Sequence, residues 1–170
     1  MTDDCQIADP AALRRTLGAF MTGVTVVTAR DGEGRPRGLT ANSFTSVSLA
    51  PPLVLICIGT AAASCAVFRT ARSFAINILA EDQVETSSLF ASKRPDKFEL
   101  VDWTRIRNGT PVLNANLAWL DCDVHERQLL GDHLVLVGRV IDFGRGAGRP
   151  LGFFGGAYVQ LPPAAGEGAR

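Results

Sequence analysis

Charge of one sign is what this sequence lacks. Seventeen Lys and Arg balance seventeen Asp and Glu over 170 residues, and no run of basic residues exceeds two. With neither an overall field nor a local basic patch, nucleic acid is not an expected partner. Long apolar runs are also missing: Leu53 to Ile58 is far short of the roughly 20 residues of a membrane helix. MTDDCQIADP, at the start, is acidic and polar rather than basic and then apolar, so no signal peptide is expected. These absences predict a soluble, cytoplasmic protein that meets no membrane.

Catalytic signatures are scarce too. No GxxxxGK followed by Ser or Thr marks a phosphate loop, and GRGAGRPLG lacks GxGxxG spacing and runs into Pro150. No GxSxG elbow accompanies the two histidines. The cysteines, Cys5, Cys57, Cys65 and Cys122, show no CxxC spacing and read as buried, reduced thiols. Cys122 and His125 would point to opposite faces of a strand, which argues against a metal site.

What remains is a chain with 46% hydrophobic residues, enough for one core. Residues 10–160 are expected to form one domain, with 1–9 and 161–170 as flexible ends. Asp9-Pro10 reads as a helix start, followed by Leu13, Leu17 and Phe20 at helical spacing up to Gly23. GVTVVTAR is a strand, DGEGRPRG a hairpin turn, and GLTANSFTSVSL the return strand. After Pro51-Pro52, LVLICI reads as a strand covered on both faces. A helix from Thr60 to Arg69, a strand from Ser73 and a helix from Glu81 follow. Leu117 begins a long strand with Leu120, Cys122 and Val124 inward and Asp121 and Asp123 outward. His133 begins its hairpin partner after Gly131-Asp132. Short links between strands predict antiparallel hairpins, hence a mostly β fold with small helices outside a closed or nearly closed barrel.

Three features carry functional interest. Asn77 lies between Ile76 and Ile78, where an unpaired amide would cost about 1–3 kcal/mol, so it must bond to backbone or ligand, backbone being favoured. His133 opens its strand at a barrel rim, bonded to nearby backbone or facing a ligand. Between Thr40 and Ser48 the alternation inverts: Ser43 and Thr45 interrupt the apolar face, and Phe44 interrupts the polar one. A Ser/Thr-rich edge strand is one reading. A bulge or bend near Ser43, or the lining of a cavity for an uncharged heterocycle, is the other.

GVTVVTA, GLTANSFTSVSLAPPLVLICI, FAINIL with Gln83, SLFA with DKF, GDH with VGRV, and PLGFFGGAY together resemble the flavin reductase family in this order. The likeness runs from about Leu13 to Tyr158. It implies an antiparallel split β-barrel of the Greek-key, FMN-binding type, usually a homodimer. The implied activity is NAD(P)H:flavin oxidoreduction, with hydride passing from nicotinamide C4 to flavin N5 and reduced flavin supplied to a partner oxygenase. FMN or FAD would be the flavin, and NADH or NADPH the donor.

By the same resemblance Thr40, Asn42, Ser43, Phe44, Thr45 and Ser46 cradle the flavin, with Ser43 foremost. Cys57 passes near the ring, Ser64 faces the phosphate, and Lys93, Arg94 and Lys97 compete as its cation. His133 lies on the nicotinamide side, and Tyr158 is an aromatic beside the flavin. A flavin-storing or electron-carrying protein without NAD(P)H turnover is one alternative. A pyridoxamine-phosphate-oxidase-like or haem-binding split barrel is another.

Overall fold

A computed structural model describes residues 9–161. Cys5 and, apart from Asp9 and Leu161, the ends expected to be flexible lie outside the described residues. Helix α1 (Pro10–Leu17) begins where expected: the Asp9 carboxylate accepts the N–H groups of Ala11 and Ala12, both at 2.9 Å. Its apolar side finds no core, for Leu17 is 65% and the following Phe20 78% exposed.

The strands are β1 (Thr22–Gly23), β2 (Thr25–Arg30), β3 (Pro36–Ala41), β4 (Thr45–Leu49), β5 (Pro52–Gly59) and β6 (Ser73–Ile78). After them come β7 (Trp103–Arg105), β8 (Pro111–Leu113), β9 (Ala118–Leu130), β10 (His133–Arg145), β11 (Gly152–Phe154) and β12 (Ala157–Val159). Helix α2 (Cys65–Phe68) follows β5, and α3 (Val84–Ala91) follows β6. Every pairing is antiparallel, and Gly131, at φ +55°, makes the tight turn between β9 and β10 that a Cβ would strain. None of these helices is long and apolar enough to cross a membrane.

The main sheet has seven strands in the order β3-β2-β6-β9-β10-β5-β4. Its two edge strands, β3 and β4, are consecutive in the chain and separated only by residues 42–44. One bent stretch therefore serves both edges, and the sheet curls on itself into a barrel whose core holds Val27, Ile56, Phe68, Phe74, Ile76 and Leu136. A second cluster, including Val26, Leu79, Phe90 and Leu113, lies on the outer face of β2 beneath α3 and β8.

Several expectations need correction. β5 is covered fully on one face alone: Val54, Ile56 and Ile58 are buried, while Leu53, Leu55 and Cys57 are half-buried. The helix expected from Thr60 is confined to Cys65–Phe68, with turns before it, and α3 begins at Val84 rather than Glu81. Asp121, expected outward, has no exposed surface. The sheet's outer face there is roofed by the β7–β8 hairpin, which was not anticipated. Asn108 on the roof donates its N–H to Asp121 Oδ2 at 3.4 Å and its amide to Asp123 at 3.1 Å.

Asn77 fastens the same roof by backbone pairing, as favoured. Its Nδ2 donates to the Val26 carbonyl at 2.9 Å, and its Oδ1 accepts the Leu113 N–H at 2.8 Å. Beside the apolar contact of Leu113, the covering is held by the polar bonds of Asn77 and Asn108, which leave no hydrophobic period in the sequence to read.

Candidate functional site

The inverted alternation around Ser43 is the break between β3 and β4, so the bend reading is correct. Ser43 Oγ donates to the Cys57 carbonyl at 3.0 Å and accepts the Cys57 N–H at 2.9 Å. The hydroxyl thereby replaces one rung of ladder where the backbone turns away, which leaves Ser43 its backbone to offer a ligand. Phe44 is half-buried against the barrel core. Thr45 and Ser46 are exposed on β4 opposite Leu55 and Val54, and the Asn42 side chain is exposed with no bond to described residues.

Further along β5, Gly59 stands opposite His133, as Cys57 stands opposite Val135. Directly opposed residues share a face, so His133 lies on the half-buried face that carries the Cys57 side chain. Its Nδ1 is 2.7 Å from Asp132 Oδ1, and that hydrogen bond holds the Asp132 carboxyl below its ordinary range.

Two clefts flank β3. The first, about 240 Å³, is lined by Ser64, Lys93, Arg94 and Lys97 together with Arg37 and Gly38. Ser64 donates to the Gly38 carbonyl at 3.2 Å. Gly38 is required here because a Cβ would stand 2.9 Å from the Phe90 ring of α3.

The three cations competing for this cleft are not equivalent. Arg94 is held by Asp96 through contacts of 2.9 and 2.6 Å. Lys97 is buried, donates to the Phe90 carbonyl at the end of α3 at 2.9 Å, and is pushed down in pKa by that burial. Lys93 is exposed and has no ion pair among the described residues. It is the cation free to meet an anion.

The second cleft, about 200 Å³ and mostly apolar, is bounded by Thr40, Asn42, Ser87, Phe153 and Tyr158. Phe153 and Tyr158 meet edge to face with centroids 5.6 Å apart. The two clefts approach each other at the end of α3, where Ala91 lines one and Ser92 the other. A further cavity of about 270 Å³ lies beyond Asn42 and takes in Phe44, Phe20 and Met21.

Ser87 was missed from the sequence. It is fully buried, its carbonyl accepts the Thr40 hydroxyl at 2.6 Å, and its own hydroxyl lies 2.8 Å from that of Tyr158. A signal existed: Ser87 lies three residues after Val84 and three before Phe90, on the inward stripe of α3.

The structure thus gathers Thr40, Asn42 and Tyr158 at one cleft, and Ser64, Lys93, Arg94 and Lys97 at the other. Ser43 lies in the bend between β3 and β4 against Cys57 of β5, and His133 begins β10, the strand beside β5. Thr45 and Ser46 line neither cleft. No group of three or more His, Cys, Asp or Glu among the described residues is placed to hold a metal ion. Uncharged donors beside aromatic edges, next to one free ammonium, suit a ligand that is a neutral ring at one end and an anion at the other.

The chain is similar to known proteins in sequence and in fold. The flavin reductase like domain family matches residues 17–162. The stachydrine N-demethylase reductase subunit Stc3 of Rhizobium meliloti is 47% identical over 159 residues, which cover 94% of this chain and 69% of that protein. The reductase component of the flavin-dependent trigonelline monooxygenase of Acinetobacter baylyi is 42% identical over 86% of this chain, which spans 47% of that protein. Among solved structures, the NADH:FAD oxidoreductase SgcE6 of Streptomyces globisporus, in complex with NAD and FAD fragments, superposes with a TM-score of 0.87. It is 40% identical, and the match covers 94% of this chain and 99% of that one.

Proposed function

We infer the activity from kinship: the chain belongs to the flavin reductase like domain family, and we propose that it reduces FMN or FAD with NADH or NADPH. The observation that carries this reading is the pair of adjoining clefts, one neutral and aromatic-edged and one holding Lys93, on either side of β3. A flavin has that polarity. When bound, the flavin supplies the hydride-accepting ring, and the nicotinamide supplies the hydride.

The chain's own residues then have to position rather than react. Asn42 and Tyr158 edge the ring, as do the backbone N–H groups of the bend at Ser43 and Phe44, which a strand break frees from the ladder. Thr45 and Ser46 hold the bend's exit to β5, and Cys57 backs it through Ser43. Lys93 and Ser64 face the phosphate, while Arg94 and Lys97 keep the cleft wall in place. His133, on the Cys57 face, meets the nicotinamide. No acid–base pair is needed, which agrees with linings that include no Asp, Glu or His among the described residues.

Residues 10–160 act as one domain in a cytoplasmic homodimer that passes reduced flavin to a partner oxygenase. The exposed Leu17, Phe20, Val47 and Leu49 support pairing with a second copy. The relatives' descriptions as reductase components support the oxygenase. NAD(P)H consumption by the purified protein should require added flavin in at least one of the four pairings of nicotinamide and flavin. Its absence in all four overturns the reading, and a tightly held flavin that neither donor reduces would point to a carrier instead.

A further inference from the structure

We propose that Ser87 is the positioning residue that fixes Tyr158 as a hydrogen-bond donor to the flavin ring; this rests on the flavin-reductase reading above. Tyr158 belongs to β12, the outer strand of a small sheet of three strands, β1-β11-β12, that is separate from the barrel sheet. That small sheet meets the rest of the fold through backbone bonds placed before β12, such as Leu151 N–H to the Leu79 carbonyl at 3.0 Å and Gly155 N–H to the Gly18 carbonyl at 2.9 Å. The Ser87–Tyr158 contact of 2.8 Å is the hydrogen bond that ties β12 across the apolar cleft to α3.

Its direction follows from burial. Ser87 is fully buried, and its hydroxyl has no acceptor besides Tyr158 among the described residues. A buried O–H left undonated would cost about 1–3 kcal/mol, so Ser87 donates and the phenol oxygen accepts. The phenol proton is then free. Tyr158 is half-buried and lines the cleft beside Asn42, so that proton is available to a ring carbonyl or ring nitrogen lying there. The same Ser87, through its carbonyl, holds Thr40 on β3, so both walls of the cleft are set from one residue of α3.

Tyr158 is the only tyrosine in the chain, which makes the test direct. Protein made with fluorotyrosine gives one fluorine resonance from this ring. Titration with oxidised FMN and FAD should shift it, and Ser87→Ala should move its position before any flavin is added. Ser87→Ala and Tyr158→Phe should each raise the flavin dissociation constant about 3- to 10-fold, the cost of one hydrogen bond. The double variant should be no worse than the more affected single one, because Ser87 acts only through the Tyr158 phenol and has nothing to position once that is gone. The flavin KM should rise more than that for the nicotinamide nucleotide.

A fluorine signal unmoved by either flavin, in protein that does turn over, overturns the proposal and leaves the reductase reading standing. Additive losses in the double variant, or a lower melting temperature in Ser87→Ala with unchanged flavin affinity, also overturn it. A flavin-dependent shift in protein that no NAD(P)H pairing reduces supports the Ser87–Tyr158 site and removes the reductase reading alone.

Discussion

Ser43 Oγ sits 3.0 Å from the carbonyl oxygen and 2.9 Å from the amide nitrogen of Cys57, and so ties the bend between the two edge strands, β3 and β4, to β5 through a single side chain. Ser43→Ala should leave both Cys57 backbone groups without that partner. The expected cost is about 1–3 kcal/mol in denaturant unfolding, with a rise in flavin KM because the bend at residues 42–44 loosens. Unchanged stability would mean that the bend is held by the Phe44 packing instead.

How much of this was legible beforehand depends on what holds each part. The hairpins of the barrel were readable because β2, β5, β6, β9 and β10 carry their burial as β-branched and alternating patterns. The bend was visible as a broken alternation at Ser43, although its partner, Cys57, was not. What stayed hidden is held in part by polar side-chain bonds. The β7–β8 roof rests on Asn77 and Asn108, and those amides give no period. Asp121 lies on the outer face that alternation gives it, but alternation does not tell whether another segment covers that face. The candidate cations could be gathered to one segment from sequence, yet only the Asp96 and Phe90 contacts separate Lys93 from its neighbours.

Lys93 and Lys97 should therefore separate by phenotype. Lys93→Ala should raise the flavin KM about tenfold, the order expected for a lost charged hydrogen bond, with no change in melting temperature. Lys97→Met should lower the melting temperature, since the Phe90 carbonyl at the end of α3 loses its donor. The reverse pattern, measured by thermal unfolding beside steady-state kinetics, would exchange their roles.

His133 lies two positions along β5 and one strand across from Cys57, on the same face of the sheet. His133→Ala should therefore raise the KM for NADH or NADPH several-fold more than the flavin KM. Equal effects on both in the same assay would take His133 off the nicotinamide side.

Asp121 gives a prediction of opposite sign to most buried carboxylates in ion pairs. Burial pushes its carboxyl above the ordinary value of 3.8; the Asn108 N–H opposes this, while Asp123 and Asp142 add to it. The folded protein thus holds this proton more tightly than the unfolded chain. The stabilisation is complete below 3.8 and is lost as pH rises through the raised folded value, so at neutral pH the ionised group is a standing cost. Asp31, Asp96 and Asp132 are shifted down and act the other way, losing stability as pH falls. The comparison that isolates Asp121 is the difference between wild type and Asp121→Asn. An amide keeps the volume and can donate to Asp142, the residue opposite on β10. Asp121→Asn should raise the melting temperature at neutral pH by a margin that shrinks as the solution is acidified. A variant less stable at neutral pH, or a margin that does not change with acidity, would show that the charged form of Asp121 is the one the fold requires.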